Sequence, residues 1–423
     1  MRTFLLLMLV ACESPATEGD TSPSVDIIDT NQEDTADSSA VTYHADILPL
    51  MERSCIDCHG ANRTSLELME YSVAASLADQ IASAVESERM PPWPPDDDCR
   101  SVHNPGALTA DERALFRTWA DTGALEGTPA EEEAETDTSR DEVDADLVLT
   151  MAEPYLPDET VVDDYRCFVV DPGLEEDAWV TAMDVALDNS AIVHHVVVWT
   201  DPDHNSATLD EEAEGQGYPC YGGPGFDNTT VVGGWAPGGG TMQIPDGLGI
   251  QLPAGDPLIL QLHYYTANDP GGIDQTSVHV ELADDSVAPM YLVPVTVYSL
   301  DIPAGESSVV QTSTVGFDIG FDLKVYGGIP HMHKLGTSIE MTRTSSDGEE
   351  ECLMRIPDWD FDLQGFYNLV EHATIHNGDE ITLTCTYDNS ADNPNQPSDP
   401  PQDVQWGDGT DDEMCLVFAM VGL

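Results

Sequence analysis

Two groups of residues in this chain have types and spacings suited to metal chemistry. The first is Cys55-Ile56-Asp57-Cys58-His59. In a Cys-x-x-Cys-His run, two thiols can form thioethers with haem vinyls while the histidine ligates the iron. A redox dithiol or half a zinc site uses similar residues, but a redox dithiol needs a βαβ surround and a zinc site a second ligand pair close by. The sequence offers neither. The second group is dispersed: His194-His195, His263, His331-Met332-His333 and Met414. Imidazole suits copper, and a thioether favours its cuprous state. Zinc is the chemical rival, yet structural zinc sites are usually rich in thiolate, and a methionine argues against zinc. Neighbours on a strand point to opposite faces, so His194 and His195 reach one ion only if the strand bends or one ring wraps around. One buried and one exposed ring is the plain alternative. His331 and His333 are expected to share a strand face and chelate, with Met414 adding a soft sulfur.

The elements that must position these groups change character along the 423 residues. That length calls for two or three domains. Residues 41–128 read as helical. Ala74 to Arg89 carries Leu77, Ile81 and Val85 at helical spacing, and Met90-Pro91-Pro92-Trp93 stops it. Thr109 and Glu112 form a capping-box pair opening a helix that ends at Gly123. Residues 129–147 read as an acidic linker. Beyond it, short β-rich runs alternate with turn residues: Ala191 to Thr200, Leu258 to Tyr265, Ser277 to Leu282, Met290 to Tyr298, Ser338 to Thr344, Glu380 to Tyr387 and Met414 to Val421. This pattern predicts sandwiches or jelly rolls, split here as 148–288 and 289–423.

Charge and export signals narrow the function. Thirteen Lys and Arg face 80 Asp and Glu, a formal −67, which excludes nucleic-acid binding and disfavours acidic membrane surfaces. Residues 1–12 end in Leu9-Val10-Ala11-Cys12 and resemble a bacterial lipoprotein signal with Cys12 as the lipidated residue. Residues 13–40 read as a flexible tether. The expectation is an exported protein, in the periplasm or on the outer cell surface, held to a membrane by its lipid alone. Nine cysteines in an exported chain predict disulfides; setting aside Cys12, Cys55 and Cys58 leaves six, with fifteen pairings open.

With Cys55–His59, Met90-Pro91-Pro92-Trp93 and Trp119 to Gly123, the helical segment resembles cytochrome c-like domains. His59 would be one haem ligand and Met90 the other, with Met69 and Met51 as alternatives. The chain from about Val148 onward resembles the type II copper, ascorbate-dependent monooxygenases, the peptidylglycine α-hydroxylating and dopamine β-monooxygenase family. The resemblance rests on His194-His195, Trp235-Ala236-Pro237, Pro245-Asp246-Gly247-Leu248-Gly249, Gln261-x-His263, His331-x-His333 with Leu335-Gly336, Trp359-Asp360-Phe361, and Gly407-Asp408-Gly409-Thr410 leading to Met414-Cys415.

That resemblance implies a multidomain chain: a small all-α cytochrome c-like domain followed by two all-β jelly-roll sandwich domains, each holding one copper across a cleft. It implies one copper on His194, His195 and His263, which stores an electron. The second, on His331, His333 and Met414, is where O2 and substrate meet, and Gln261 is in a position to bridge. The implied reaction inserts one oxygen atom into a C–H bond of a small organic substrate and reduces the other to water. The two electrons come from ascorbate, another small reductant or a donor protein, relayed here by the fused haem c. Pairings Cys167–Cys220 and Cys385–Cys415 follow from the resemblance, and the remaining Cys99 and Cys352 would join the helical segment to the catalytic region. Where the peptide-hydroxylating branch has an Arg before His-x-His and an Asn and Tyr after the ligand Met, this chain has Ile329, Leu416 and Phe418, which points to an apolar pocket. Two other functions fit the same residues: a non-enzymatic haem and copper electron-transfer or copper-binding lipoprotein, and an oxidase of small reductants.

Overall fold

The structure, a computed structural model, describes residues 40–60, 66–129, 143–158 and 160–423. Cys12, nearly all of the tether and residues 130–142 of the acidic linker lie outside these. Val41–Leu423 forms one compact unit. No helix among the described residues is long and apolar enough to cross a membrane.

The helical segment closes around its own core of Tyr43, Ile47, Met51, Phe116 and Trp119. The expected helix over 74–89 is two, Tyr71–Ser76 and Ala78–Glu86, interrupted at Leu77. The capping box at Thr109 and Glu112 is present and starts Ala110–Asp121. Gly123, at φ +92°, takes the left-handed turn after that helix, a conformation glycine adopts without a Cβ penalty.

Beyond residue 146 the regular elements of the described residues are nearly all strands. Two facing sheets enclose each of two further cores. The first core lies between a five-stranded sheet and one half of a nine-stranded sheet. The five run in the order Tyr218–Pro219, Asp163–Val170, Leu258–Tyr265, Val193–Thr200 and Val231–Trp235. The second core lies between the other half of the nine-stranded sheet and four strands ordered Val309–Gly316, Glu380–Tyr387, Gly336–Thr344 and Glu350–Ile356. A short parallel pairing, Leu248 to Ala288 and Gly249 to Pro289, joins the two halves of the nine-stranded sheet. Ala288–Thr296 therefore serves both bodies: its Met290 and Leu292 enter the first core.

Alternation on Leu258–Tyr265 shows how sequence positions the chemistry. Leu258, Leu260, Leu262 and Tyr264 face the first core, so Gln261 and His263 must face the other way. One short helix, Asn205–Glu212, interrupts the strands; the Asp201 carboxylate caps it by accepting the N–H groups of Asn205 and Ser206 at 2.9 and 2.8 Å.

Among the described residues there are three disulfides: Cys167–Cys220, Cys385–Cys415 and Cys99–Cys352. The last joins the segment between the helices Ala78–Glu86 and Ala110–Asp121 to the strand Glu350–Ile356. The same segment adds His103 N–H to the Asn368 carbonyl at 2.8 Å, Val370 N–H to the Ser101 carbonyl at 3.0 Å, and Trp93 edge-on to Tyr367. The helical body is thus laced to the second sandwich rather than hung from it.

Candidate metal centres

The strand Val193–Thr200 solves the parity problem of adjacent histidines with a bulge. Against Leu258–Tyr265 the register runs Val193 to Tyr264 and then His195 to His263, leaving His194 as the extra residue. Val193 and Val196 both reach the core, an odd spacing that only a bulge permits, and both His rings turn outward. The Nδ1 atoms of His194 and His195 face each other at 3.4 Å. His263, from the next strand, completes a set whose ligand atoms all lie within 4.8 Å of one another.

Unpartnered nitrogens test whether a metal fits. His263 Nε2–H donates to Asp163 Oδ1 at 2.8 Å, so its Nδ1 carries the lone pair; that Nδ1 is buried with no hydrogen-bond partner. His194 Nε2 is likewise buried and unpartnered. Burial lowers the pKa of all three imidazoles, those of His194 and His195 far below the usual value, so the rings are neutral near pH 7 and present lone pairs. Tyr165 stacks on His263 with centroids 4.0 Å apart and fixes the ring plane.

Asp163 was not singled out by sequence. Burial pushes its pKa up, but hydrogen bonds from His263 and from Thr410 Oγ1 at 2.8 Å outweigh this and hold it below the ordinary carboxylate value. Asp163 therefore orients a ligand and ties the first sandwich to the 407–414 loop. Asp163→Ala is expected to weaken copper binding at the three-histidine set by about 10- to 100-fold, the usual cost of losing a partner of a metal-bound histidine. Competition with a chelator measures it, and the His331–His333 set serves as the internal control.

The second set departs from expectation in one respect. The strand Leu323–His331 ends at His331, so His333 lies beyond it and not on a shared strand face. The reason is Glu413, fully buried, whose Oε2 accepts the N–H of His333 at 3.0 Å and of Met414 at 3.3 Å while Oε1 accepts the N–H of Leu335 at 2.6 Å. A carboxylate replaces the strand ladder and binds both ligand segments together. Burial raises the Glu413 pKa to about 8 against the pull of these donors. The two rings still meet, with centroids 5.1 Å apart. His331 Nδ1 bonds Gln364 Oε1 at 2.6 Å and His333 Nδ1 bonds the Asp412 carbonyl at 3.0 Å, which leaves Nε2 of each as the lone-pair nitrogen. Burial lowers both pKa values, His333 to about 3. Met414 is 9% exposed and opens onto the same cavity as both rings, so two imidazoles and a thioether fit a cuprous ion.

The two sets adjoin: His195 and His331 centroids are 6.5 Å apart, and Phe361 stacks on His194 at 5.0 Å while lying 6.1 Å from His333. Gln261 donates from Nε2 to the Cys220 carbonyl at 2.9 Å, so its observed role is to brace the Cys167–Cys220 loop beside the metal ligands. A cavity of about 580 Å³ opens onto His195, His331, His333 and Met414, walled by Val197, Ile329, Phe366, Leu416 and Phe418.

At the haem motif, Cys55 and Cys58 belong to none of the three disulfides. His59 Nδ1 bonds the Leu66 carbonyl at 2.7 Å, which leaves Nε2 as its lone-pair nitrogen. Among the sulfurs considered for the sixth position, Met90 is 38% exposed, Met69 is partly buried and Met51 is fully buried. Cys55–His59 packs against the turn at 236–240: a Cβ at Gly240 would meet the Asp57 carboxylate, which would have to shift.

Two bodies of facing sheets thus carry one three-imidazole set and one His-His-Met set, donor sets whose chemistry suits copper. The family model for the C-terminal domain of copper type II ascorbate-dependent monooxygenases matches residues 292–421. Human and mouse DBH-like monooxygenase protein 2 are each 28% identical, over 249 and 251 residues; each alignment covers 54% of this chain, and 47% and 38% of theirs. Chicken DBH-like monooxygenase protein 1 is 24% identical over 257 residues, 55% of this chain and 39% of its own. The chain thus spans less than half the length of these relatives. Among solved structures, the infectious bursal disease virus VP2 subviral particle is 10% identical over 65% of this chain and 77% of its own, at a TM-score of 0.15, too low to bear on the fold. The matched stretch, residues 292–421, contains His331, His333 and Met414 and is similar to the C-terminal domain of the type II copper monooxygenases.

Proposed function

We propose that this chain is a copper-dependent monooxygenase that hydroxylates a C–H bond of an apolar small molecule with O2, drawing electrons through a c-type haem on the same chain. The observation that carries this reading is the cavity: ligands from both histidine sets open onto one apolar space large enough for a substrate. Copper held by His194, His195 and His263 and by His331, His333 and Met414 would supply the redox chemistry of O2 activation. The residues do the rest. Asp163, Gln364 and the Asp412 carbonyl hold His263, His331 and His333 in the tautomer that presents a lone pair. Ile329, Leu416 and Phe418 exclude water and offer no partner to a carboxylate.

Haem held by Cys55, Cys58 and His59, in a cytochrome c-like arrangement, would supply electrons, with ascorbate or another reductant as the outside donor. The relay reading is supported by packing. Asp57 sits against Gly240; the Trp235 indole N–H reaches the Gly239 carbonyl at 2.8 Å; Gln364 N–H reaches the Pro237 carbonyl at 2.9 Å; and Gln364 holds His331. The two β bodies are read as jelly rolls, and export with lipidation at Cys12 agrees with three disulfides.

The test supplies copper- and haem-loaded protein with ¹⁸O2, a reductant and apolar candidate substrates. One labelled oxygen per organic product supports the reading. Label only in water or peroxide would assign an oxidase, and metal redox cycling without O2 consumption would assign an electron carrier.

A further inference from the structure

We propose that Tyr221 is a positioning residue shared by both metal sets: its hydroxyl holds the turn that orients His333, and its ring braces the stack that orients His263. The inference rests on the two-copper part of the reading above, not on the reaction. Tyr221 is 59% exposed, yet its hydroxyl is tied down on every side. The oxygen accepts the N–H groups of Asp408 and Gly409, both at 3.1 Å, and the O–H donates to Asp412 Oδ2 at 3.1 Å. A phenol both donates and accepts, and here both capacities go to the single turn at 408–412.

That turn aims the second set. The Asp412 N–H closes it onto the Gly409 carbonyl at 2.8 Å. The Asp412 carbonyl bonds His333 Nδ1 at 3.0 Å, and Met414 follows two residues on. A Cβ at Gly409 would come within 3.0 Å of Asp412 Oδ2, so the carboxylate that accepts the Tyr221 O–H lies folded into the turn.

The ring of the same side chain serves the first set. It meets Tyr165 edge-on, with centroids 5.1 Å apart, and Tyr165 stacks on His263 at 4.0 Å. The backbone beneath Tyr221 is fixed. Cys220 is bridged to Cys167, its N–H donates to the Tyr165 carbonyl at 3.1 Å, and its carbonyl accepts from Gln261 Nε2 at 2.9 Å. Gly222 follows at φ +82°, and a Cβ there would lie 3.2 Å from Asp408 Oδ2, so glycine lets the two segments close on each other.

Two further ties join these segments: Thr410 Oγ1 to Asp163 Oδ1, and the Tyr165 hydroxyl to the Asp408 carbonyl. Losing the Tyr221 hydroxyl therefore loosens the turn without releasing it. Copper must then order the turn as it binds, which lowers affinity. Water replaces part of what an exposed phenol supplies, so the expected loss is the worth of about one hydrogen bond, about tenfold.

The experiment compares the unaltered chain with Tyr221→Phe and Tyr221→Leu. Stepwise chelator competition, with a spectroscopic probe of each copper, gives the affinity of each set; amide hydrogen exchange is read on the metal-free chain. Tyr221→Phe keeps the ring and is expected to weaken the His331, His333 and Met414 set about tenfold, to leave the three-histidine set unchanged, and to speed exchange at Asp408 and Gly409. Tyr221→Leu is expected to add a loss of about two- to tenfold at the three-histidine set, the worth of one aromatic pair. Unchanged affinity in the Phe variant, equal loss from both sets in that variant, or identical behaviour of Phe and Leu at the three-histidine set would each overturn the proposal. In the unaltered chain the Asp408 and Gly409 amides are expected to exchange about tenfold more slowly than in an unstructured peptide. Absence of that protection would overturn the hydroxyl's role without any variant having to fold. If the His331 set takes no copper while the exchange difference stands, the two-copper reading fails and the hydroxyl's hold on the turn is supported.

Discussion

His263→Ala is expected to leave about one copper per chain and to cut hydroxylated product by at least ~100-fold. The ring is 1% exposed, donates to Asp163 through Nε2 and points an unpartnered Nδ1 toward His194 and His195. Removing a partner of a metal-bound histidine already costs about 10- to 100-fold, so removing a ligand costs more. The His331, His333 and Met414 set shares no atom with His263 and is expected to keep its copper. Metal analysis after dialysis against a mild chelator gives the stoichiometry, and product assay gives the rate. Retention of two coppers would show that His263 is not a ligand. Loss of one copper with full activity would show that the first set is dispensable and that the division between the two sets is wrong.

At pH 9, above the raised pKa of about 8 at which Glu413 becomes a carboxylate, Glu413→Gln is expected to destabilise the fold by about 2–4 kcal/mol and to release copper from the His331 set before the His194 set. Both carboxylate oxygens act as acceptors, Oε1 for Leu335 N–H and Oε2 for His333 and Met414 N–H. Glutamine of the same shape turns one oxygen into an NH2 donor that faces an N–H, in a site that is fully buried. The ligands suffer because the same oxygen holds His333 and Met414. Differential scanning calorimetry reads the stability loss, and stepwise chelation with a spectroscopic probe of each copper reads the order of release. An unchanged transition temperature with equal release from both sets would remove Glu413 from this role.

How much of this could be read from the residues depends on how local each signal is. The ligand histidines stood out because their types are scarce and their spacing is tight. Leu258–Tyr265 was legible to the residue, since apolar side chains alternate with Gln261 and His263. The bulge at His194 was not, because Val196, Val197 and Val198 are all β-branched and hide which of them faces the core. Glu413 was missed for a different reason. It follows Asp411 and Asp412 in a chain with 80 acidic residues, where one buried carboxylate looks like its solvated neighbours. Asp163 and Gln364 act through atoms brought from remote segments, and nothing in their local sequence marks them. Cys99–Cys352 closes a sequence separation of 253 residues, so only the fold could make that pairing definite.

The most direct test of the central claim, two unlike copper centres built from distant segments, is X-ray absorption at the copper edge of the reduced protein with its metal content measured. The account predicts about two coppers per chain and a sulfur scatterer on one of the two, alongside imidazole nitrogen on both. A spectrum of nitrogen and oxygen alone, a single copper, or zinc in place of copper would contradict it.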